Sequence, residues 1–424
     1  MTNDALRREL GLGAAVLLGL GSIVGTGVFV GIGLAAEAAG PSLLLAIAIA
    51  GLLAACNGLS SAQLAASHPT SGGTYEYGYR YLTPTLGFTA GWMFLAAKSA
   101  SAAAAALGFA GYLERLTGIG DGGAAVAVTA VVTVTALVAL GLRRSAAANT
   151  AIVAITLLGL GWFTVAGLAE FDSDRFTPFL GGGAAGLLEA TALMFVAYTG
   201  YGRIATLGEE VRAPRRTIPR AIIVALVATV VLYGAVATAG VGGGGADALA
   251  DATGGFAAPL EVVARGFALP GTARVVGIAA VTAMLAVLLN LVLGLSRVAL
   301  AMGRRRDLPG AVARIDSTGR TPVVAVPLVG VIIALLAAFG SVRSTWSFSA
   351  FTVLVYYALT NVAALRLPAA DRRYPRVIAW LGLAGCLGLA FWVDAAAWVA
   401  GLAVIALGLF WHAGARRLRQ NPRT

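Results

Sequence analysis

The sequence predicts an all-α integral membrane protein of about twelve transmembrane helices, arranged as two five-helix units of inverted topology followed by two C-terminal helices. Three observations predict it. Mean hydropathy is +0.86 and only 12% of residues are charged, about half the share of a soluble domain. The apolar residues gather into about twelve runs, each near the roughly 20 residues needed to span a bilayer core. Arginines crowd alternate loops between those runs.

The runs fall near 12–36, 41–66, 86–113, 123–141, 147–169, 186–208, 217–240, 271–302, 323–341, 345–365, 376–393 and 395–414. Arg7, Arg8 and Glu9 lead into a long run rather than a short one with a cleavage site, so the first run is expected to stay in the mature protein. The chain then divides into an N-terminal segment (1–11), a first repeat (12–169), a second repeat (186–365), two further helices (376–414) and a C-terminal tail (415–424).

Of the 30 cations, 29 are arginines, set against 19 acidic residues for a net charge of +11. Loops after even-numbered runs hold Arg80, Arg143 with Arg144, Arg212 to Arg220, Arg304 to Arg306, and Arg366 to Arg376, and both termini carry arginines of the same set. The other loops hold Glu37, Glu114, Asp121, Glu170, Asp247, Glu261 and Asp394 with scattered arginines. By the positive-inside rule both termini are expected to be cytoplasmic and the protein to sit in the cell membrane. The charge therefore maps topology. Nucleic acid is excluded as a partner, because no arginine cluster is interleaved with aromatics on a soluble domain.

Cys56 and Cys386 both lie in apolar runs, and His68 and His412 are far apart, so neither a disulfide framework nor a metal centre is indicated. No acid–base pair or nucleophile constellation is found, so an enzyme is not expected, nor a cofactor. No obligate protein partner is evident.

Two segments break the helical pattern at matching places. Gly19 to Phe29 in the first run carries four glycines at mid-membrane depth, and Phe195 to Arg203 in the sixth combines glycines, a hydroxyl and two tyrosines. Each opens a five-helix unit. Paired discontinuous helices mark substrate sites in secondary transporters, because backbone groups freed inside a membrane must face protein or a polar cavity. A half-helix that restarts there offers N–H groups to a carboxylate, and one that ends there offers carbonyls to an ammonium. A zwitterionic amino acid supplies both charges.

With these segments the chain resembles the amino acid–polyamine–organocation superfamily and, within it, the bacterial amino acid permeases. The resemblance rests on Gly21-Ser22-Ile23-Val24-Gly25-Thr26-Gly27-Val28-Phe29, on the Phe195 to Gly200 region followed by Glu209-Glu210-Val211 and Pro214 to Ile222, on Ser71 to Tyr77 with Gly91-Trp92, and on Leu295-Ser296-Arg297 with Ala301-Met302 and Leu308-Pro309. It runs in order from the first helix to the ninth. It implies a leucine-transporter-like fold that moves amino acids by alternating access. Carried over by position, the carboxylate meets the N–H groups of Gly25, Thr26 and Gly27. The ammonium meets carbonyls of Ser22 or Ile23 and of Val196, Ala197 or Thr199. Tyr198 and Tyr201 stand where the family closes over substrate, or else pack an interface. Arg203 is a gate or a partner of Glu209, and Glu209-Glu210 with the arginines that follow resembles a cytoplasmic latch of ion pairs.

The single lysine, Lys98, lies inside the third run. A charge at that depth costs about 2.5–3.5 kcal/mol on insertion scales, so it is expected to act, and a desolvated ammonium makes a proton switch. Related proton-coupled permeases carry a lysine on the fifth helix, where this chain has Thr156. Lys98 is therefore expected to supply the missing charge near the first break and near Asn290 or Ser296 of the eighth run, one helical turn from Ala102 at the substrate level. Snorkelling, pathway selectivity and structural pairing compete with that role. Sodium coupling is disfavoured because 271–302 offers only Thr272, Thr282 and Ser296 as hydroxyl ligands. The expected activity is secondary transport of neutral amino acids, proton-coupled or exchanging, with protons and the bilayer as further partners. The alternatives are an amine or polyamine carrier of the same fold and a transport-like sensor.

Overall fold

In the computed structural model, residues 10–68, 72–118, 122–141, 146–205, 211–254, 257–316 and 321–420 are described. Glu209 and Glu210 lie outside them, as do Ser71, Asp121, Arg143 and Arg144. Among the described residues the chain is helical throughout, with one parallel β-bridge between Leu10 and Val211.

The helices are α1 (Leu12–Ile23), α2 (Ile32–Ala39), α3 (Leu43–Ser67), α4 (Thr74–Tyr81), α5 (Pro84–Thr117), α6 (Gly123–Ala139), α7 (Ala146–Ala169), α8 (Gly183–Tyr198), α9 (Gly202–Ala205), α10 (Pro214–Gly244), α11 (Ala246–Asp251), α12 (Pro259–Ala264), α13 (Thr272–Arg304), α14 (Ala325–Phe339), α15 (Val342–Leu365), α16 (Arg376–Leu389) and α17 (Ala395–Gln420). Among the described residues eight helical segments are long and apolar enough to cross a membrane, and four shorter apolar helices are Leu12–Ile23, Gly123–Ala139, Ala325–Phe339 and Arg376–Trp392. One of the eight, Gly27–Ser67, exceeds a single crossing and turns at Gly40, whose φ of +59° suits glycine.

Local chemistry sets the helix ends. Thr83 caps α5 by accepting from the Leu86 N–H at 3.2 Å, with Pro84 at the first helical position where its missing N–H costs nothing. Ser341 and Ser344 form a reciprocal capping box at the start of α15. With 34 residues, α5 is the longest helix, and it packs against both α13 and α15. Ala102 to Ala106 are fully buried there, because small residues let helix backbones approach closely where lipid supplies no hydrophobic drive. Ser101 and Ser349 hydrogen-bond at 2.7 Å across the α5–α15 contact.

The outer shell is apolar: Phe339 is 87% exposed, Phe410 78% and Leu158 74%. So much contiguous apolar surface suits lipid rather than water. At the end rich in arginine, the Tyr75 and Tyr79 hydroxyls of α4 both donate to Asp307, at 2.8 and 2.6 Å. Burial first, and the Asp307 carboxylate second, hold the Tyr75 phenol above its ordinary value, so it stays a neutral donor. The Trp92 indole donates to Val404 O and the Trp411 indole to Asp307 O, each at 2.8 Å, which fastens α17 to this scaffold.

Asn57 of α3 and Asn361 of α15 are fully buried and hydrogen-bonded to each other. Truncating either leaves its partner's amide short of a bond, at a cost of about 1–2 kcal/mol. Asn57→Leu and Asn361→Leu are each expected to lower the melting temperature in detergent, and the double variant to lose less than the two losses combined. Simple additivity would show that the pair is not coupled.

Candidate functional site

The first break follows from glycines that weaken helix and leave no side chain in the way. α1 stops at Ile23, Val24 turns extended with φ −80° and ψ 107°, and the chain resumes as a π-helical turn over Gly27–Gly31 before α2. The Val28 and Phe29 N–H groups both donate to Gly25 O, at 3.1 and 3.2 Å. The amides of Gly25, Thr26 and Gly27 thus open the second half-helix, where no acceptor one turn earlier exists. Thr26 is buried, and among the described residues its hydroxyl has no hydrogen-bond partner.

The second break is milder than an unwound segment. α8 ends at Tyr198 and tightens into a 3₁₀ turn over Thr199–Tyr201 before α9. Thr199 explains part of this, because its hydroxyl donates back to Val196 O at 2.8 Å.

The two breaks touch backbone to backbone. A Cβ on Gly200 would stand 2.2 Å from Ser22 O, and one on Gly27 would stand 2.4 Å from the Ala197 Cβ. Any larger residue would drive the segments apart. Tyr233, from α10, reaches the same junction and lies 2.9 Å from Ile23 O and 3.2 Å from Ala197 O.

Beside the junction lies a cavity of about 990 Å³. The two breaks contribute Ser22, Ile23, Thr26, Gly27, Val196, Ala197 and Thr199 to its wall, and Lys98, Asn290 and Ser296 face it as well. It continues past Phe94, Tyr356 and Tyr357 to Arg297, Arg304, Arg305 and Thr321 on the arginine-rich side.

Four expected site residues stand elsewhere. Gly25 packs toward Val287, whose Cγ2 would be 2.5 Å from an added Cβ. Ala102 is fully buried in the helix contact, and its neighbour Ser101 lines the cavity instead. Tyr198 points into α3 and donates to Ile47 O at 3.1 Å. Tyr201 packs on Tyr357 at 5.4 Å and does not line the cavity. The aromatic lining comes from Tyr75 on α4, Phe94 on α5 and Trp346, Tyr356 and Tyr357 on α15.

Lys98 also differs from expectation. Its ammonium donates to Thr199 Oγ1 at 2.8 Å, on the sixth run rather than on the first or eighth. Among the described residues no carboxylate forms an ion pair with it. Thr156 back-bonds to Ile152 O at 2.7 Å on α7. Arg203 lines the cavity.

On the opposite, acid-rich face, Arg343 of α15 meets three carboxylates: Glu37 of α2 at 2.5 Å, Glu189 of α8 at 2.9 Å and Asp394 before α17 at 3.1 Å. One guanidinium thereby ties the outer ends of both interrupted helices to α15. One turn further in, the Trp346 indole donates to Leu193 O at 3.0 Å and its ring lies 3.3 Å from where a Gly31 Cβ would be. By sequence Glu37 and Asp394 are only charges of the acid-rich loops. No local signal joins four charges so distant in the chain.

A membrane-embedded helical bundle, interrupted at two facing breaks beside a cavity, is the architecture of a multi-pass solute transporter rather than an enzyme. The chain belongs to the amino acid permease family, whose profile matches residues 14–417. It is similar to an uncharacterized transporter of Mycobacterium tuberculosis, 43% identical over 98% of this chain and 92% of that protein. A branched-chain amino acid permease of Bacillus subtilis is 29% identical over 91% and 86% of the two chains. A methylthioribose transporter of the same organism is 28% identical over 88% and 84%.

Gly200→Ala and Gly27→Ala are expected to abolish uptake, while Gly161→Ala, where an added Cβ meets nothing within 4 Å, leaves it near wild type. Uptake by the three variants in vesicles is the check, and a fully active Gly200→Ala protein would contradict the close approach. Arg343→Ala leaves three carboxylates facing one another and is expected to loosen the acid-rich face. A cysteine placed at Gly294, which lines the cavity, should then react faster with an impermeant thiol reagent applied from that face; an unchanged rate argues against a seal there.

Proposed function

We propose that the protein is a secondary transporter of neutral amino acids in the cell membrane, working by alternating access, with both termini in the cytoplasm. The observation that carries this is the meeting of the two breaks at one cavity wall, where residues that end one half-helix, residues that start the next and Thr26, whose hydroxyl has no partner among the described residues, line the same space. Backbone groups of opposite polarity at one point fit a zwitterion. The carboxylate is assigned to the amides of Thr26 and Gly27, whose residues line the cavity while Gly25 packs toward Val287, and the ammonium to carbonyls of Ser22 or Ile23 with Val196, Ala197 or Thr199.

The rest of the organisation supports this reading. The cavity reaches the arginine-rich side, and the Arg343 cluster and Trp346 close the other, as expected of a carrier open to the cytoplasm. Repeats at 12–169 and 186–365 each begin with an interrupted helix, and 376–414 follows them outside the repeat. The cavity wall offers Lys98 and Arg203 near the breaks and Arg297 toward the arginine-rich side, whereas its carboxylate, Glu76, is paired with Arg305. That balance favours neutral side chains over cationic ones, in line with the branched-chain permease among the relatives.

Proton coupling or exchange is favoured over sodium coupling. Of the hydroxyls of Thr272, Thr282 and Ser296, that of Ser296 alone belongs to a residue of the cavity wall, which leaves few side-chain oxygens there for a hard cation. Lys98 is the group we assign to the proton. Its bond to Thr199 links the charge to the second break, so losing the proton loosens that break and gaining it seats Lys98 again.

Two measurements test these assignments. A thermal-shift screen of the purified protein should show stabilisation by neutral amino acids through mass action. Equal stabilisation by amines without a carboxylate, or by a neutral thiosugar, would remove the carboxylate assignment. In proteoliposomes, Lys98→Ala is expected to make uptake insensitive to an imposed pH gradient. Gradient-driven uptake that persists in both Lys98→Ala and Lys98→Arg would eliminate the lysine as the coupling group.

A further inference from the structure

Tyr233 has no signal in the sequence beyond being a tyrosine in an apolar run, yet its hydroxyl sits at the junction of the two breaks. The residue is fully buried, its ring packs on Tyr198 with centroids 5.3 Å apart, and it is not part of the cavity wall. Its oxygen is 2.9 Å from Ile23 O and 3.2 Å from Ala197 O. Ile23 is the last residue of α1, and Ala197 stands one residue before the end of α8. These carbonyls lie where a helix stops supplying its own donors, and a buried carbonyl without a donor is costly. A phenol carries one hydrogen, so the two carbonyls share a single proton.

We propose that Tyr233 is a positioning residue that stands in for the substrate's amino group while the site is empty, and so allows the unloaded carrier to pass between its two faces. The inference rests on the amino acid reading above. A bound ammonium brings three N–H donors to these carbonyls, and the phenol hydrogen is then needed by one of them at most. In the empty protein the same carbonyls depend on Tyr233 to stay together through the low-dielectric passage. The phenol therefore matters most for the step taken without substrate. Net uptake includes that step in every cycle, whereas exchange of internal for external amino acid takes place entirely with the site loaded.

The test compares net uptake with counterflow exchange in proteoliposomes for wild type and Tyr233→Phe, which keeps the ring and removes the hydrogen. Net uptake is expected to fall about tenfold, the worth of one buried hydrogen bond, with exchange held within about twofold. An equal fall in both modes marks a packing role and overturns the proposal, as does no fall in either. Should the phenylalanine variant fail to accumulate, 3,5-difluorotyrosine at position 233 keeps the shape and strengthens the donor. The ratio of net uptake to exchange should then shift at an unchanged melting temperature, and an unshifted ratio overturns the proposal. Absence of exchange by any amino acid in the wild-type protein would instead sink the underlying functional reading.

Discussion

Everything in this molecule depends on one constraint: a backbone inside a membrane must find its hydrogen-bond partners within the protein. Helix meets that demand along most of the chain. At Val24 to Thr26 and at Thr199 to Tyr201 it is met differently, by pressing one interrupted helix against the other until Gly200 lies on Ser22 and Gly27 on Ala197. Side chains then supply what regular helix no longer does. Tyr233 serves Ile23 O and Ala197 O, Thr199 serves Val196 O, and Tyr112 donates to Phe29 O at 2.7 Å. The cavity is the space left where this repair is incomplete.

The elements were largely legible in the sequence, because lipid as solvent imposes length and hydropathy with little ambiguity. The runs near 86–113, 217–240, 345–365 and 395–414 all fall within helices, as does the first run on either side of its break. Side-chain direction at the site was harder. Ser101 and Ala102 differ by one residue, which is about 100° around a helix, and the pattern of apolar residues in a nearly all-small segment does not choose between them. After a break the helical phase restarts, so periodicity in α8 cannot be carried to Tyr201. Of the two roles open to Tyr198 and Tyr201, closing over substrate or packing an interface, the contacts seen are packing ones, on α3 and on Tyr357.

Charges tell a similar story at two scales. As a population, the arginines report which loops share a face, since long-range sorting depends only on their number and position. As individuals they depend on three-dimensional company. Arg343 is a stray cation by sequence and the hub of an acidic face in the fold, because Glu37, Glu189 and Asp394 come to it from elements far apart in the chain. Chain distance conceals such a cluster completely.

The bond between Lys98 and Thr199 has a consequence that reaches past the site. Thr199 accepts from the ammonium and donates to Val196 O, so a charge on α5 and the last turn of α8 share one hydroxyl. On the proposal that Lys98 carries the coupled proton, occupancy of that hydroxyl and the pose of the helix end are linked. Whatever free energy a rotation of α8 takes from the lysine's proton, a change in proton activity must return to the rotation in equal measure.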